Sequence, residues 1–506
     1  MRFWSAPRDC FGEILRNLAG MKNTKPILFV IALLACFVVH AETPKFHISE
    51  VAAPCQQLII CDLDGDGLKD LVLMNGTNLA IFYQDPAQGF TAKPQQTYQL
   101  PAQPCAVYSA KLGSHAESLL VMTSEGVSAI SFTNRTGVPT AQKLINQSTI
   151  LPETSKETNV FYTPFSARTG SGWPLLLLPT PGGLQVWQYH NGWHQAQVID
   201  HAVSASLWPT HAAPGNGSSF KLDMSIADVN GDDRDDLMIR RQAGQTNFFS
   251  LYLQQTNGLF ATAPALTYGD NANEFSWLYW GDLNRDGKVD LIKSVWLNDA
   301  SFLPGVPSGK VVAGVYFADK DGRIPPEPNQ VFRKNDWLRG LPVADVDGDG
   351  FVDMVLGYTD IENRESFVKE LTTGQVDYRL DFYFYHPGAG FPLSPDYRHN
   401  LTIRLERVSP FLNWSLPDDL ERSFALDGDF NGDGKKDLIV RDQPGAISVY
   451  FFVSREKGFS ADPDLRFKCP DLIEDFQIAD LNNDGLSDLI VKFAKKDGFR
   501  IFISQK

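Results

Sequence analysis

Six short stretches of this 506-residue chain bring carboxylates together at one fixed spacing, D-x-[DN]-x-D-x-x-x-D. Their residues are Asp62, Asp64, Asp66 and Asp70; Asp228, Asn230, Asp232 and Asp236; Asp282, Asn284, Asp286 and Asp290. The other three are Asp345, Asp347, Asp349 and Asp353; Asp429, Asn431, Asp433 and Asp437; Asp480, Asn482, Asp484 and Asp488. Oxygen ligands at loop positions 1, 3, 5 and 9 converge on one hard cation, and that donor set selects calcium over softer metals. A single copy is also compatible with a solvated Asx turn. Six copies in one register favour the metal, because unpaired carboxylates held together repel one another.

These are not helix–loop–helix calcium sites, which need a glutamate at position 12. Position 12 is Leu73, Ile239, Lys293, Leu356, Val440 and Val491 in turn. Position 2 is always apolar and position 10 is Leu or Met, so each loop is held to a core at both ends. Position 6 is glycine except for Asp233 in the second copy, where a positive φ is less comfortable. The second site is therefore expected to be the weakest.

The elements that hold the loops are short strands. After each loop the chain runs strand, turn, strand, as in LVLMNGTNLAIFYQ, and a fourth strand follows a G-F turn such as AQGF or GAGF. The gap from Asp62 to Asp228 fits three units of about 55 residues, a blade length for a propeller. Two units lie there without acidic loops, at LLVMTSEGVSAISF from Leu119 and LLLLPTPGGLQVWQY from Leu175. The count is eight units, six with metal loops. The last unit has three strands, and KFHISEV near the N-terminus is spare. A closed ring leaves no unpaired edge, so this segment is expected to complete the last blade. The fold class expected is all-β, a β-propeller of four-stranded blades over residues 42–506.

The metal loops resemble FG-GAP/VCBS repeats, found in the integrin α-subunit propeller and in many secreted bacterial proteins. The resemblance covers roughly residues 45–506, strongly in six units and weakly in two. The namesake Phe-Gly and Gly-Ala-Pro ends are mostly lost, with traces at Phe476 and Gly357. It implies up to six structural Ca²⁺, on loops that join the two innermost strands of each blade at the bottom face. Integrin-like propellers have seven blades, a count reached here if one degenerate unit is not a blade.

The start of the chain reads as a leader. Residues 1–20 are an upstream extension or a misassigned start. Residues 21–41 have a basic beginning, the apolar run ILFVIALLACFVV and small residues at Val39 and Ala41, which fits a signal peptide. That run of 13 residues is too short for a spanning helix. A second reading takes LLAC as a lipoprotein box, with a lipid anchor at Cys36. Either way the protein is exported to periplasm, cell surface or medium. Cys55, Cys61, Cys105 and Cys469 remain after cleavage, and both a disulfide near the ring closure and free buried thiols fit the sequence.

Catalytic signatures are missing: there is no H-E-x-x-H, G-x-S-x-G, P-loop or dinucleotide fingerprint. His190 and His194 sit on a turn and not on one helix face, so they read as ordinary turn residues. The formal net charge is −15, most of which six divalent cations would offset, and no basic patch suggests nucleic acid. Three insertions stand out, at residues 297–310, 359–379 and 409–422. They fall on the propeller face opposite the metal loops, where Tyr358, Arg364, Phe411 and Trp414 form a candidate ligand surface. The reading preferred is a secreted or cell-surface binding protein, for adhesion or carbohydrate binding, with a glycan or protein ligand. The alternative is a polysaccharide-acting enzyme of lyase type on the same scaffold.

Overall fold

Leu71, Val72 and Leu73 are all fully buried, so the strand Asp70–Asn75 is covered on both faces. Leu175–Thr180 and Asp488–Phe493 show the same pattern. The fourth strands instead alternate, as in Gln96–Gln99 and Tyr397–Arg404. Sheets buried on both faces within and half-solvated at one edge must stack on neighbours in a ring.

The computed structural model describes residues 45–505 apart from 133–134, 151–157, 160–163, 171, 201–204, 210–217, 273, 300–307, 335–336, 339–342, 360–372 and 405–422. They form an eight-bladed β-propeller of antiparallel blades. Blade 1 is Gln57–Cys61, Asp70–Asn75, Asn78–Phe82 and Gln96–Gln99. Blades 2 and 3 begin at Ala106–Lys111 and Ser166–Ala167, and use the two units that lack acidic loops. Blades 4, 5 and 7 begin at Met224–Ala227, Phe275–Gly281 and Phe424–Gly428. In blade 6, Trp337–Leu338 and Val343–Ala344 both pair with Asp353–Thr359.

Blade 8 is closed by the far end of the chain. Lys45–Val51 pairs antiparallel with Phe499–Gln505, from Lys45 opposite Gln505 to Val51 opposite Phe499. The spare N-terminal strand therefore takes the place expected of it, and the count is eight rather than seven. Two small sheets were not legible in the sequence. One joins Thr158–Asn159, Ala205–Pro209 and Ser218–Leu222. The other is a hairpin, Phe452–Ser454 with Gly458–Phe459, on blade 7.

The core is a set of apolar layers between blades. Leu63, Val72, Val107 and Leu119 tie blade 1 to blade 2, and Val51, Leu71, Ile490 and Ile501 tie blade 8 to blade 1. One layer spans blades 2, 3 and 4, with Leu120, Leu176, Leu178, Val186 and Ile239 fully buried. Blades 2 and 3, which lack acidic loops, are thus joined by a continuous apolar layer. Each such Leu contributes about 1.5–3 kcal/mol on burial. The four described cysteines are free, so the thiol alternative holds over the disulfide. Burial pushes the Cys55 thiol up to about 12, and those of Cys105 and Cys469 to about 11.

Candidate metal centres

Each acidic loop joins the first two strands of its blade, as between Gln57–Cys61 and Asp70–Asn75. Inside the loop the acidic side chains accept backbone N–H groups in a repeated pattern. The position 1 carboxylate takes the position 6 N–H in all six: Gly67 to Asp62 at 3.1 Å, Asp233 to Asp228 at 2.8 Å, Gly287 to Asp282 at 2.8 Å, Gly350 to Asp345 at 2.9 Å, Gly434 to Asp429 at 2.8 Å and Gly485 to Asp480 at 2.9 Å. Position 3 takes the position 5 N–H, as from Asp349 to Asp347 at 3.2 Å and from Asp433 to Asn431 at 2.9 Å. Position 5 takes the position 7 N–H, as from Leu68 to Asp66 at 2.8 Å. These nested turns wrap the chain so that the acidic side chains face inward.

Positive φ is needed twice per loop. Position 6 has it throughout, including Asp233 at 64°. Position 4 has it as well, where the residues are Gly65, Gly231, Arg285, Gly348, Gly432 and Asn483. The glycine bias at position 4 was the sequence signal for this second turn.

The position 9 aspartate does more than point at a cation. Asp70, Asp290, Asp353, Asp437 and Asp488 are fully buried, and Asp236 nearly so. One oxygen of each accepts the position 2 N–H, from Leu63 at 2.9 Å, Val229 at 3.3 Å, Leu283 at 3.1 Å, Val346 at 2.9 Å, Phe430 at 2.7 Å and Leu481 at 2.7 Å. The other accepts an N–H from the end of the third strand. Its donors are Gln84 at 3.0 Å, Gln254 at 2.8 Å, Ala318 at 2.8 Å, Tyr385 at 2.9 Å, Phe452 at 3.2 Å and Ser504 at 2.6 Å. Burial pushes these carboxyls up, to about 7 for Asp70, Asp290, Asp353 and Asp437 and about 6 for Asp236 and Asp488. A buried acid so disfavoured as an anion is stabilised by a nearby cation.

The loops also touch one another. The Lys69 N–H donates to Leu481 O at 2.7 Å, Lys436 to Val346 O at 2.9 Å, and Ser487 to Asp429 O at 2.8 Å. Degenerate blades keep the contact, through Glu117 N–H to Asp62 O at 2.6 Å. Asp235, at position 8 of the blade 4 loop, holds Arg168 of blade 3 through Nε at 3.0 Å and Nη2 at 2.8 Å.

Two loops bring three carboxylates together as a ligand set. One oxygen each from Asp62, Asp64 and Asp70 lie within 4.8 Å of one another, as do oxygens of Asp345, Asp347 and Asp353. Asp345 Oδ1 is enclosed and accepts no hydrogen bond. An all-oxygen set with an orphaned buried oxygen fits a hard cation. These two loops have aspartate at position 3, where the other four have asparagine. They differ in a second way. Arg135 of blade 2 donates to Asp64 Oδ2 at 2.5 Å and Asp66 Oδ2 at 2.6 Å, and Arg455 of blade 7 donates likewise to Asp347 and Asp349. Sequence reading missed both arginines.

Two family-model matches to the FG-GAP-like repeat cover residues 228–292 and 429–491. Each runs from one acidic loop into the second strand of the next blade. This chain is a β-propeller that carries FG-GAP-like repeats. No curated protein matches it. Among solved structures it is similar to an Agrocybe aegerita lectin described as recognising non-reducing terminal N-acetylglucosamine. The identity is 14% and the TM-score 0.37, over 69% of this chain and 86% of that one.

Of the candidate ligand surface, Arg364, Phe411 and Trp414 lie outside the described residues, as do the upstream extension and the signal peptide. Tyr358 is 4% exposed. Its hydroxyl lies 3.5 Å from Asp381 Oδ1, and Lys334 Nζ sits 5.0 Å from its ring centroid. Arg398 donates to the same Asp381 at 2.5 Å and 3.1 Å. His190 and His194 are in ring contact at 6.4 Å, on the turn and strand that follow Gly183–Tyr189. Among the described residues no helix is long and apolar enough to cross a membrane.

Proposed function

We propose that this FG-GAP propeller is an exported binding protein whose six acidic loops are stiffened by calcium. Its ligand is a glycan or a protein, taken on the face opposite the loops. The observation behind the calcium is the repeated buried aspartate at position 9, linked to both ends of its hairpin in six blades. A cation there neutralises charge and fixes the inner hairpins at once. Position 1, 3, 5 and 9 side chains of each loop would hold it.

The scaffold supports that face. Blade 5 has a long second hairpin, with Asp290–Asp299 paired to Ser308–Tyr316, where blade 1 has only Asp70–Asn75 and Asn78–Phe82. Insertions on rigid hairpins are where recognition residues concentrate. The test is thermal unfolding with calcium and with EDTA, followed by a glycan array under both conditions. EDTA should lower the melting temperature and calcium restore it; an unchanged melt overturns the calcium. Calcium-dependent retention on one glycan class supports a glycan ligand, and no retention directs the search to protein partners.

A further inference from the structure

Arg135 and Arg455 sit at matching places. Each lies three residues after an aromatic, Phe132 or Phe452, in the turn between the third and fourth strands of its blade. Each reaches back to the loop of the preceding blade. Arg135 bridges Oδ2 of Asp64 and Asp66, and Arg455 bridges Oδ2 of Asp347 and Asp349. Each donates also to a carbonyl, Gln84 O at 3.2 Å or Tyr385 O at 3.3 Å. Those same two residues give their N–H to the position 9 aspartates. Each guanidinium lies over the aromatic ring one residue earlier, Tyr83 at 5.4 Å or Phe384 at 5.3 Å.

The arginine follows the loop chemistry. The turns of blades 1, 5 and 6 have Ala87, Asp321 and Gly388 at the equivalent place, three residues after Gln84, Ala318 and Tyr385, which align with Phe132 and Phe452. Those turns follow loops with asparagine at position 3. In two such loops the amide does the bridging: Asn230 Nδ2 donates to Asp232 Oδ2 and Asn482 Nδ2 to Asp484 Oδ2, both at 3.2 Å. Asparagine offers a cation only its Oδ1. The matching oxygen of Asp64 or Asp347 is therefore Oδ1, and Oδ2 is surplus. With aspartate at position 3, two surplus oxygens face each other and repel, and no amide is present to join them.

We infer that Arg135 and Arg455 are positioning residues for the metal loops of blades 1 and 6. Each replaces the asparagine amide, neutralises the surplus carboxylate, and ties the loop to the next blade. Asp plus Arg and Asn are then two solutions to one problem: the position 1, 3, 5 and 9 side chains with the arginine sum to about −3 in each loop, and three asparagine loops add a position 7 cation, Arg234, Lys288 or Lys435, on their position 5 carboxylate. The metal half of this inference rests on the calcium reading above; the charge-matching half does not.

The test is a rescue. Arg455→Gln, Asp347→Asn and the double variant of the full chain are titrated with Ca²⁺ by calorimetry and melted in EDTA. Arg455→Gln should weaken one site about tenfold and lower the melt in EDTA. Adding Asp347→Asn should restore both, because it recreates an asparagine loop. Unchanged binding and melting in Arg455→Gln overturns the inference, and so does a loss that Asp347→Asn fails to recover. If the parent chain takes up no Ca²⁺, the calcium reading falls, and recovery of the melt in EDTA alone decides the charge matching. Arg135→Gln with Asp64→Asn repeats the test at blade 1 should either blade 6 variant fail to fold.

Discussion

The Tyr385 N–H donates to Asp353 Oδ1 at 2.9 Å, across 32 residues of chain. The other oxygen of Asp353 accepts from Val346 at 2.9 Å. One buried carboxylate thus ties the loop head to the end of the third strand, before any cation is considered. Asp353→Ala leaves two buried N–H groups without an acceptor, a cost of about 2–5 kcal/mol. Asp433→Ala, at exposed position 5, should cost under about 1 kcal/mol. Both are measured by denaturant unfolding in EDTA, where no metal contributes. Equal losses would remove the staple role.

Asp233 has φ of 64°, where five loops use glycine. Its N–H bond to Asp228 survives replacement by glycine. Asp233→Gly should therefore raise stability by about 0.5–1 kcal/mol, the relieved left-handed strain exceeding the added freedom of the unfolded chain. Arg285, at φ of 59°, is the counter-case. Its guanidinium lies 5.7 Å from the Phe351 ring centroid, so Arg285→Gly loses a contact as it relieves strain, and its net effect should be near zero. A drop in Asp233→Gly, by chemical denaturation, would show that the aspartate is favoured there.

The repeat and its closure were legible because both rest on local rules. Position 2 and position 10 apolar residues mark where loop meets core, and a three-stranded last unit demands a strand from elsewhere. The double use of Asp353 was not legible, since its partner Tyr385 lies beyond an insertion of variable length. The arginines were hidden for a related reason: they act on the preceding blade, and only pairing Phe132–Arg135 and Phe452–Arg455 spacing with aspartate at position 3 would have found them. Tyr358 looked like a surface residue because it follows a strand and precedes an insertion. In the fold it is enclosed by Lys334 and Asp381, contributed by a neighbouring blade and a neighbouring strand.

Closure can be tested on one strand. Val51 is 2% exposed and packs with Phe499 and Leu71, whereas Ile48 on the same strand is 49% exposed. Val51→Asp buries a charge in the layer between blades 8 and 1, and should cost about 3 kcal/mol or more. Ile48→Asp should stay within about 0.5 kcal/mol. Equal sensitivity at the two positions, in urea unfolding, would mean that Lys45–Val51 does not complete blade 8 in solution.

His399 gives a pH test away from the acidic loops. It is 6% exposed on Tyr397–Arg404, with the Tyr450 ring at 5.2 Å and the Phe459 ring at 5.9 Å. Its Nδ1 lies 2.9 Å from the Tyr397 hydroxyl, which can donate to a neutral ring. Burial lowers its pKa from 6.5 to about 4. A histidine depressed in the folded state must stay neutral there but charges freely when unfolded. Its contribution is therefore whole above pH 6.5 and is lost as pH falls toward 4, by about 3 kcal/mol at most. His399→Gln should remove this slope. With calcium held constant, the unfolding free energies of parent and variant should converge or cross as pH drops from 7 to 4. Parallel profiles would mean that His399 is protonated without penalty, and that its pocket opens to water on this timescale.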